Sequence, residues 1–416
     1  MQSGISAEEE ELAAQRIVVL GAGFAGLWSA IGAARALDEF GIGADKVEIV
    51  VIDRTAWHSI RVRNYEADLE GTRVALDSVL GPIGVRRLEG EVTAIDVARK
   101  TVTYESGGAS HGITYDRLVF ALGSRLAHPP IKGLGDHAFD VDTYAAAERL
   151  NAHIANLPKR PPSPGQSTVL VVGGGLTGIE AAAEMPGKLR AAGIASPRVI
   201  LADHAARIGS DMGAGAQPVI DEALEALGVE MRGGVSVAAI DADGATLATG
   251  ERIAAATVVW CAGMQAHPLT AQFPVERDRL GRLPVEPSLK IKGLAAEFAA
   301  GDCAWLLVDD VHSSVMSCQH GRPMGRFAGH NVVCDLRGRP VLPLRIDWYT
   351  TILDLGPWGA VYTEGWDRKL VSQGAAAKRT KEIINRERIY PPRSGDRRAI
   401  LDAAAPTVQT PPVRFG

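Results

Sequence analysis

Two short glycine-rich stretches carry the most readable chemistry in this chain: GAGFAG, Gly21 to Gly26, and GGGLTG, Gly173 to Gly178. Both have the spacing G-x-G-x-x-G, which between a strand and a helix cradles a pyrophosphate on the free N–H groups of the helix start. Gly21 and Gly173 permit the tight turn, Gly23 and Gly175 let backbone approach the phosphates, and Gly26 and Gly178 let the helix pack closely. Phe24 and Ala25 in the first loop, and Leu176 and Thr177 in the second, begin those helices. Beyond each loop stands an acid, Asp53 followed by Arg54 and Asp203 followed by His204, placed to accept from a ribose 2′-hydroxyl. At Asp203 this favours NADH. His204 and Arg207 offset part of the repulsion toward an extra phosphate and leave NADPH open.

The elements that must position these residues follow from pattern. RIVVL before the first loop and STVLVV before the second are β-branched runs that predict buried strands, and VEIVVID and RVILAD predict the strands that end at the two acids. Helical spacing of small and apolar residues follows both loops. Pro186 in the second helix lacks an N–H donor and is expected to kink or end it.

Composition narrows the classes. The 416 residues are 46% hydrophobic and 22% charged, as in a soluble globular protein of two or three domains. A formal net charge of −5 gives no general basis for nucleic-acid binding. No apolar run reaches the roughly 18 to 20 residues of a membrane span, and the acidic start MQSGISAEEEELAAQ is unlike a signal peptide. A cytoplasmic protein is expected. The four cysteines, Cys261, Cys303, Cys318 and Cys334, form no C-x-x-C pair, so they read as reduced and mostly buried, with no metal site.

Two loops with two acids resemble the two-dinucleotide-binding-domain flavoproteins, the FAD/NAD(P)-dependent pyridine nucleotide oxidoreductases, over about residues 15 to 345. Four more segments strengthen the resemblance. TYDRLVFALGS is similar to the family's Ala-Thr-Gly turn between domains, through Ala121 and Gly123 with Leu122 in place of Thr, and ATVVWCAG, ending at Gly263, is its counterpart. FAAGDCA resembles the Gly-Asp signature, here Gly301 and Asp302, whose aspartate bonds the flavin's ribityl chain. GEVTAID resembles the strand whose main chain, near Val92, meets the adenine. The resemblance assigns FAD to the first loop and NAD(P)H to the second, and it implies an α/β fold of two Rossmann-like dinucleotide-binding domains. The expected boundaries are 1–140 and 269–344 for the FAD domain, 141–268 for the inserted NAD(P)H domain and 345–416 for a C-terminal region. It also implies that Glu180 lies close to the nicotinamide. On its own, Glu180 is a helix-start carboxylate favoured by the dipole.

The acceptor is less determined. Disulfide reductases of this superfamily place a C-x4-C pair after the first acid, whereas DRTAWHSIRVRNYEADLEG has no cysteine, so a dithiol relay is excluded. The segment resembles type II NADH dehydrogenases through His58, Arg61, Tyr65 and Glu66, with His58 near the flavin. Those enzymes use A-Q-x-x-x-Q-Q-G at the quinone pocket. Here CQHGRPMG keeps Gln319 but replaces the glutamine pair with Pro323 and Met324, which leaves the acceptor open. Gln319 and His320 are the candidates for contact with the flavin ring. The leading expectation is an FAD-dependent NADH oxidoreductase reducing a quinone or other small-molecule acceptor. The alternatives are a reductase for a ferredoxin-like protein and a slow-turnover NADH-sensing flavoprotein.

In the C-terminal region, AAAKRTKEIINRER has a basic face and few large apolar residues, which predicts a solvated helix with at most weak peripheral membrane contact. A mobile Pro-rich tail, Ala403 to Gly416, is expected after it. Trp348, Trp358 and Trp366 are left among three roles: covering the flavin, pairing subunits in a homodimer, or filling a small core.

Overall fold

The computed structural model describes residues 14–415; the acidic start read above lies outside them up to residue 13, as does Gly416. Two five-stranded parallel sheets organise the chain. The first has the spatial order Glu297–Ala299, Arg117–Phe120, Gln15–Leu20, Val47–Asp53, Arg86–Glu89. The second repeats it with Ala138–Phe139, Thr257–Trp260, Thr168–Val172, Arg198–Ala202, Val229–Arg232. In each, the strand before a glycine loop lies at the centre, buried toward its C-terminal end as its Val, Ile and Leu content requires. A three-stranded antiparallel meander accompanies each sheet, Glu91–Asp96 through Thr114 in the first and Val237–Asp241 through Ala254 in the second.

The chain passes between the two units through two short strands, Ser124–Leu126 and Met264–Ala266, which pair antiparallel. These are the segments that follow Gly123 and Gly263. The repetition extends to single hydrogen bonds. Gly21 N donates to Ile52 O and Gly173 N to Ala202 O, both at 2.8 Å, while Ala121 N donates to Leu20 O and Cys261 N to Val172 O.

The helix after the first loop, Phe24–Glu39, packs along the long helix Cys318–Leu336. Gly325 and Gly329 make this possible, since a Cβ at either would lie 2.3 Å from Ala25 O or 2.1 Å from Ser29 O. The helix after the second loop, Leu176–Ala191, runs on past Pro186. The expectation that proline ends it is corrected: a helix interior that is buried against a sheet tolerates one missing hydrogen bond.

The C-terminal region departs from expectation. Thr350–Asp354, Ala360–Glu364 and Lys369–Gln373 form an antiparallel sheet whose Leu353, Leu355 and Val361 join the core of the second unit. Ile389, Tyr390, Ile400 and Leu401 join the core of the first. The helix Gly374–Ile383 is solvated on one side only and packed on the other. Ala377, Thr380, Lys381 and, beyond its end, Asn385 are buried, at spacings of three and four that put them on one face. The tail is held down too, with Thr410 O accepting from Arg388 and Gln409 Oε1 from Arg322. Trp366 fills a small aromatic stack with Tyr349 and His312, its centroid 4.4 and 4.3 Å from theirs, and donates to Asp309. Among the described residues no helix is long and apolar enough to cross a membrane.

Candidate active site

The glycine loops are built alike. A Cβ on Gly26 would sit 1.9 Å from Gly21 O, and one on Gly178 would sit 1.7 Å from Gly173 O, so the third glycine is required by helix-on-loop packing in both. The second glycine is different. Gly23 has φ −68° and Gly175 φ −81°, which any residue adopts, and a Cβ on either meets nothing within 4 Å. Nothing inside the protein requires glycine there. The open space lies at the N-terminus of a 16-residue helix with no side-chain cap, where unpaired N–H groups and the dipole favour an anion. A pyrophosphate fits both cradles.

Each acid is tied to its own loop. Asp53 accepts from Ala22 N at 2.7 Å and from Thr55 N at 2.9 Å, and Asp203 accepts from Gly174 N and from Ala205 N in the matching positions. Arg54 is exposed beside Asp53. His204 lies exposed with its ring nitrogen 3.2 Å from Asp203, and Arg207 is held by Asp221 at 2.9 Å.

Beneath the first loop, His58 is completely buried, with Nδ1 2.9 Å from Ala22 O and its ring edge-on to Phe24. A carbonyl only accepts, so Nδ1 carries the proton and Nε2 is a lone pair without a partner. Burial pushes the His58 pKa down to about 4. Gly301 sits against Ala25, to whose Cβ an added Cβ would come within 2.6 Å, and this seats the Gly-Asp turn at the loop. Asp302 accepts from Ser124 Oγ at 2.6 Å and lies 3.8 Å from Arg61, while burial raises its pKa. Arg61 reaches on to Asp142 at the entry to the second unit. Ala121 and Gly123 precede Ser124 on the same crossing, and Val92 lies at an irregularity of the meander strand, 7% exposed. Gly263 stands at the return crossing. The structure thus brings Asp53, His58 and Gly301 against the first loop and Asp203 against the second.

Gln319 and His320 start the long helix. Val315 N donates to His320 Nδ1 at 3.0 Å, so the neutral ring carries its proton on Nε2, the opposite tautomer to His58. Its pKa is pushed down to about 4 by burial. Gln319 Oε1 accepts from Thr350 at 3.2 Å. The Nε2 donors of both residues are buried without a protein partner, adjacent in sequence. Pro323 and Met324 lie inside this helix, with Met324 buried.

Glu180 stands on the first turns of the second-loop helix, 7% exposed. Its Oε1 accepts from Lys381 Nζ at 2.7 Å and from Asp354 N at 3.1 Å. Asp354 in turn accepts from Tyr65 OH at 3.0 Å and from Lys378. One buried network therefore joins the first unit through Tyr65, the second through Glu180 and the C-terminal region through Asp354 and Lys381. Burial opposes the Lys381 charge, but Glu180 and Asp354 more than offset it, so its pKa is raised. Sequence reasoning missed Lys381 and Asp354; a lysine on the small-residue stripe of Ala377 and Thr380 was the available signal.

Comparison with known proteins agrees with this architecture. The profile of the pyridine nucleotide-disulphide oxidoreductase family matches residues 15–325. An NADH dehydrogenase-like protein of Mycobacterium tuberculosis is 57% identical over 402 residues, covering 95% of this chain and all of that one. The type II NADH:quinone oxidoreductase Ndh of the same organism is 32% identical over 70% of this chain and 67% of its own. Among solved structures, NDH2 of Plasmodium falciparum superposes with a TM-score of 0.76 over 94% of this chain and 97% of that one, at 12% identity, which bears on the fold alone. The chain belongs to the pyridine nucleotide-disulphide oxidoreductase family, as an oxidoreductase of its type II NADH dehydrogenase-like group.

Proposed function

We propose that the chain is an FAD-dependent NADH oxidoreductase, with FAD on the first loop and NADH on the second, that delivers electrons to a quinone or another small acceptor. The observation that carries this reading is the pair Gly23 and Gly175, glycines that neither backbone conformation nor packing demands, each opening a helix N-terminus to a ligand. When bound, the cofactors supply hydride transfer from nicotinamide to flavin. The chain supplies position and charge.

In this reading the amides after Gly23 and Gly175 hold the pyrophosphates, and Asp53 and Asp203 use their remaining lone pairs for ribose hydroxyls. Asp302 with Ser124 faces the ribityl chain, and the main chain at Val92 meets the adenine. The free Nε2 donors of Gln319 and His320 meet the acceptor atoms of the flavin ring, which gives two orphaned N–H groups their partners. Glu180 borders the nicotinamide with its carboxyl held in place by Lys381 and the Asp354 amide.

NADH as donor is supported by the NADH dehydrogenase-like relatives, and by Asp203 with Arg207 committed to Asp221. A quinone-type acceptor is supported by relatives named as quinone oxidoreductases. Steady-state NADH oxidation with quinone analogues, oxygen and a ferredoxin as separate acceptors tests the reading. Turnover is expected with the quinone analogues, and turnover with the ferredoxin alone contradicts the small-acceptor assignment.

A further inference from the structure

A cleft of about 540 Å³ separates Trp28 and the long helix from the C-terminal tail, and no residue of either glycine loop lines it. Its walls carry four guanidinium groups, Arg322, Arg326, Arg388 and Arg393. Arg322 and Arg326 lie one helical turn apart, each only 4% exposed. They stand over the Trp28 ring, with guanidinium carbons 5.0 and 4.4 Å from its centroid. Neither pairs with a carboxylate among the described residues. Of the two acids at the rim, Asp402 is paired with Arg398 at 3.0 Å, which leaves Glu387 against four cations.

The hydrogen-bonding inventory is one-sided. Arg322 Nη1 donates to Gln409 Oε1 at 2.8 Å, but Arg322 Nε, Arg326 Nε and Trp28 Nε1 are buried with no partner. All three are donors. Burial, and then the neighbouring cations, push the pKa of Arg322 down to about 9 and of Arg326 to about 10. The Trp28 face relieves part of the desolvation of these cations, yet a buried charge is normally matched by an opposite one. What the cleft lacks is an acceptor-rich anion. Phosphate oxygens match guanidinium forks in geometry and charge, and the volume leaves room for a small organic group beside the phosphate.

We propose that this cleft binds a phosphate-bearing dianion between Arg322, Arg326 and Arg388. The site shares no residue with either nucleotide loop. A free phosphate monoester and the headgroup of an anionic lipid share this chemistry.

The test uses the flavin-loaded protein, with inorganic phosphate as probe against chloride at equal pH and ionic strength, read by calorimetric titration and thermal unfolding. Saturable binding and a raised unfolding midpoint are expected. Arg326→Met is expected to raise the phosphate-free midpoint, because an unmatched buried charge is gone, and to weaken phosphate binding at least about ten-fold. Arg393→Ala, at the exposed rim, tests the same site with little demand on folding and is expected to weaken binding a few-fold. Vesicles of phosphatidylcholine with and without phosphatidic acid separate the sources. Co-sedimentation that requires both phosphatidic acid and Arg326 assigns the dianion to a lipid headgroup, and phosphate binding without co-sedimentation assigns it to a free ester. Phosphate acting no differently from chloride, or acting equally on wild type and both variants, overturns the proposal.

Discussion

Glu180 and Lys381, 201 positions apart in sequence, form a buried ion pair at 2.7 Å that fastens the C-terminal helix to the helix of the second glycine loop. Removing one partner leaves an unmatched charge in the interior, which is costlier than removing both. Lys381→Met is expected to destabilise the protein by about 3 to 5 kcal/mol, read from urea unfolding. The double variant Glu180→Gln, Lys381→Met is expected to recover part of that loss. A double variant less stable than Lys381→Met contradicts the pairing.

The buried histidines set a pH limit. His58 and His320 have their pKa pushed down to about 4, from an ordinary value of 6.5. The unfolded chain binds protons between those values and the folded chain does not, so stability is fully present above pH 6.5 and falls as pH drops toward about 4. The contribution of His58 is about 3 kcal/mol. Equilibrium unfolding from pH 7 down to pH 4.5 is expected to show a smaller slope in His58→Gln than in wild type, and an unchanged slope contradicts the burial of a neutral ring.

Asp203 is expected to select the donor. Its carboxylate lies just past the strand Arg198–Ala202 that follows the loop's helix, and the nearby Arg207 is held by Asp221. Asp203→Ser removes an acceptor for the ribose and a repulsion toward a 2′-phosphate. The KM for NADH is expected to rise about ten-fold and the preference over NADPH to fall by at least that factor, measured as kcat/KM for both donors. An unaltered ratio contradicts the role.

The glycines within one loop are expected to fail differently. A Cβ on Gly26 meets Gly21 O at 1.9 Å, whereas one on Gly23 meets nothing within 4 Å. Gly26→Ala should therefore lower stability by about 1 to 3 kcal/mol, as an overpacked site does. Gly23→Val should keep the fold and lose flavin, read as the ratio of flavin to protein after purification. Flavin retained at wild-type ratio in Gly23→Val contradicts the cradle.

What was legible in the sequence is local. The strand, loop, helix and acid of each half are contiguous, so spacing alone exposes Gly21 to Gly26 with Asp53 and Gly173 to Gly178 with Asp203, and the structure repeats them bond for bond. The partners of Glu180 come from a distant segment. Nothing near Lys381 announces an acid 201 positions away, and a basic, Ala-rich helix reads as solvated until its Ala377, Thr380, Lys381 face is seen packed. The contacts of the tail are hidden for the same reason: Gln409 and Thr410 meet arginines of other elements. Pro186 was overweighted, since tertiary burial on the sheet offsets one lost hydrogen bond.

The central claim is that the two loops hold two different cofactors, and anaerobic NADH titration of the flavin absorbance tests it most directly, in wild type and in Gly175→Val. The account predicts that wild-type flavin bleaches with one equivalent of NADH, and that Gly175→Val retains its flavin, bleaches with dithionite and fails to bleach with NADH. A wild-type flavin that NADH leaves oxidised, or a Gly175→Val protein that NADH reduces as readily as wild type, contradicts it.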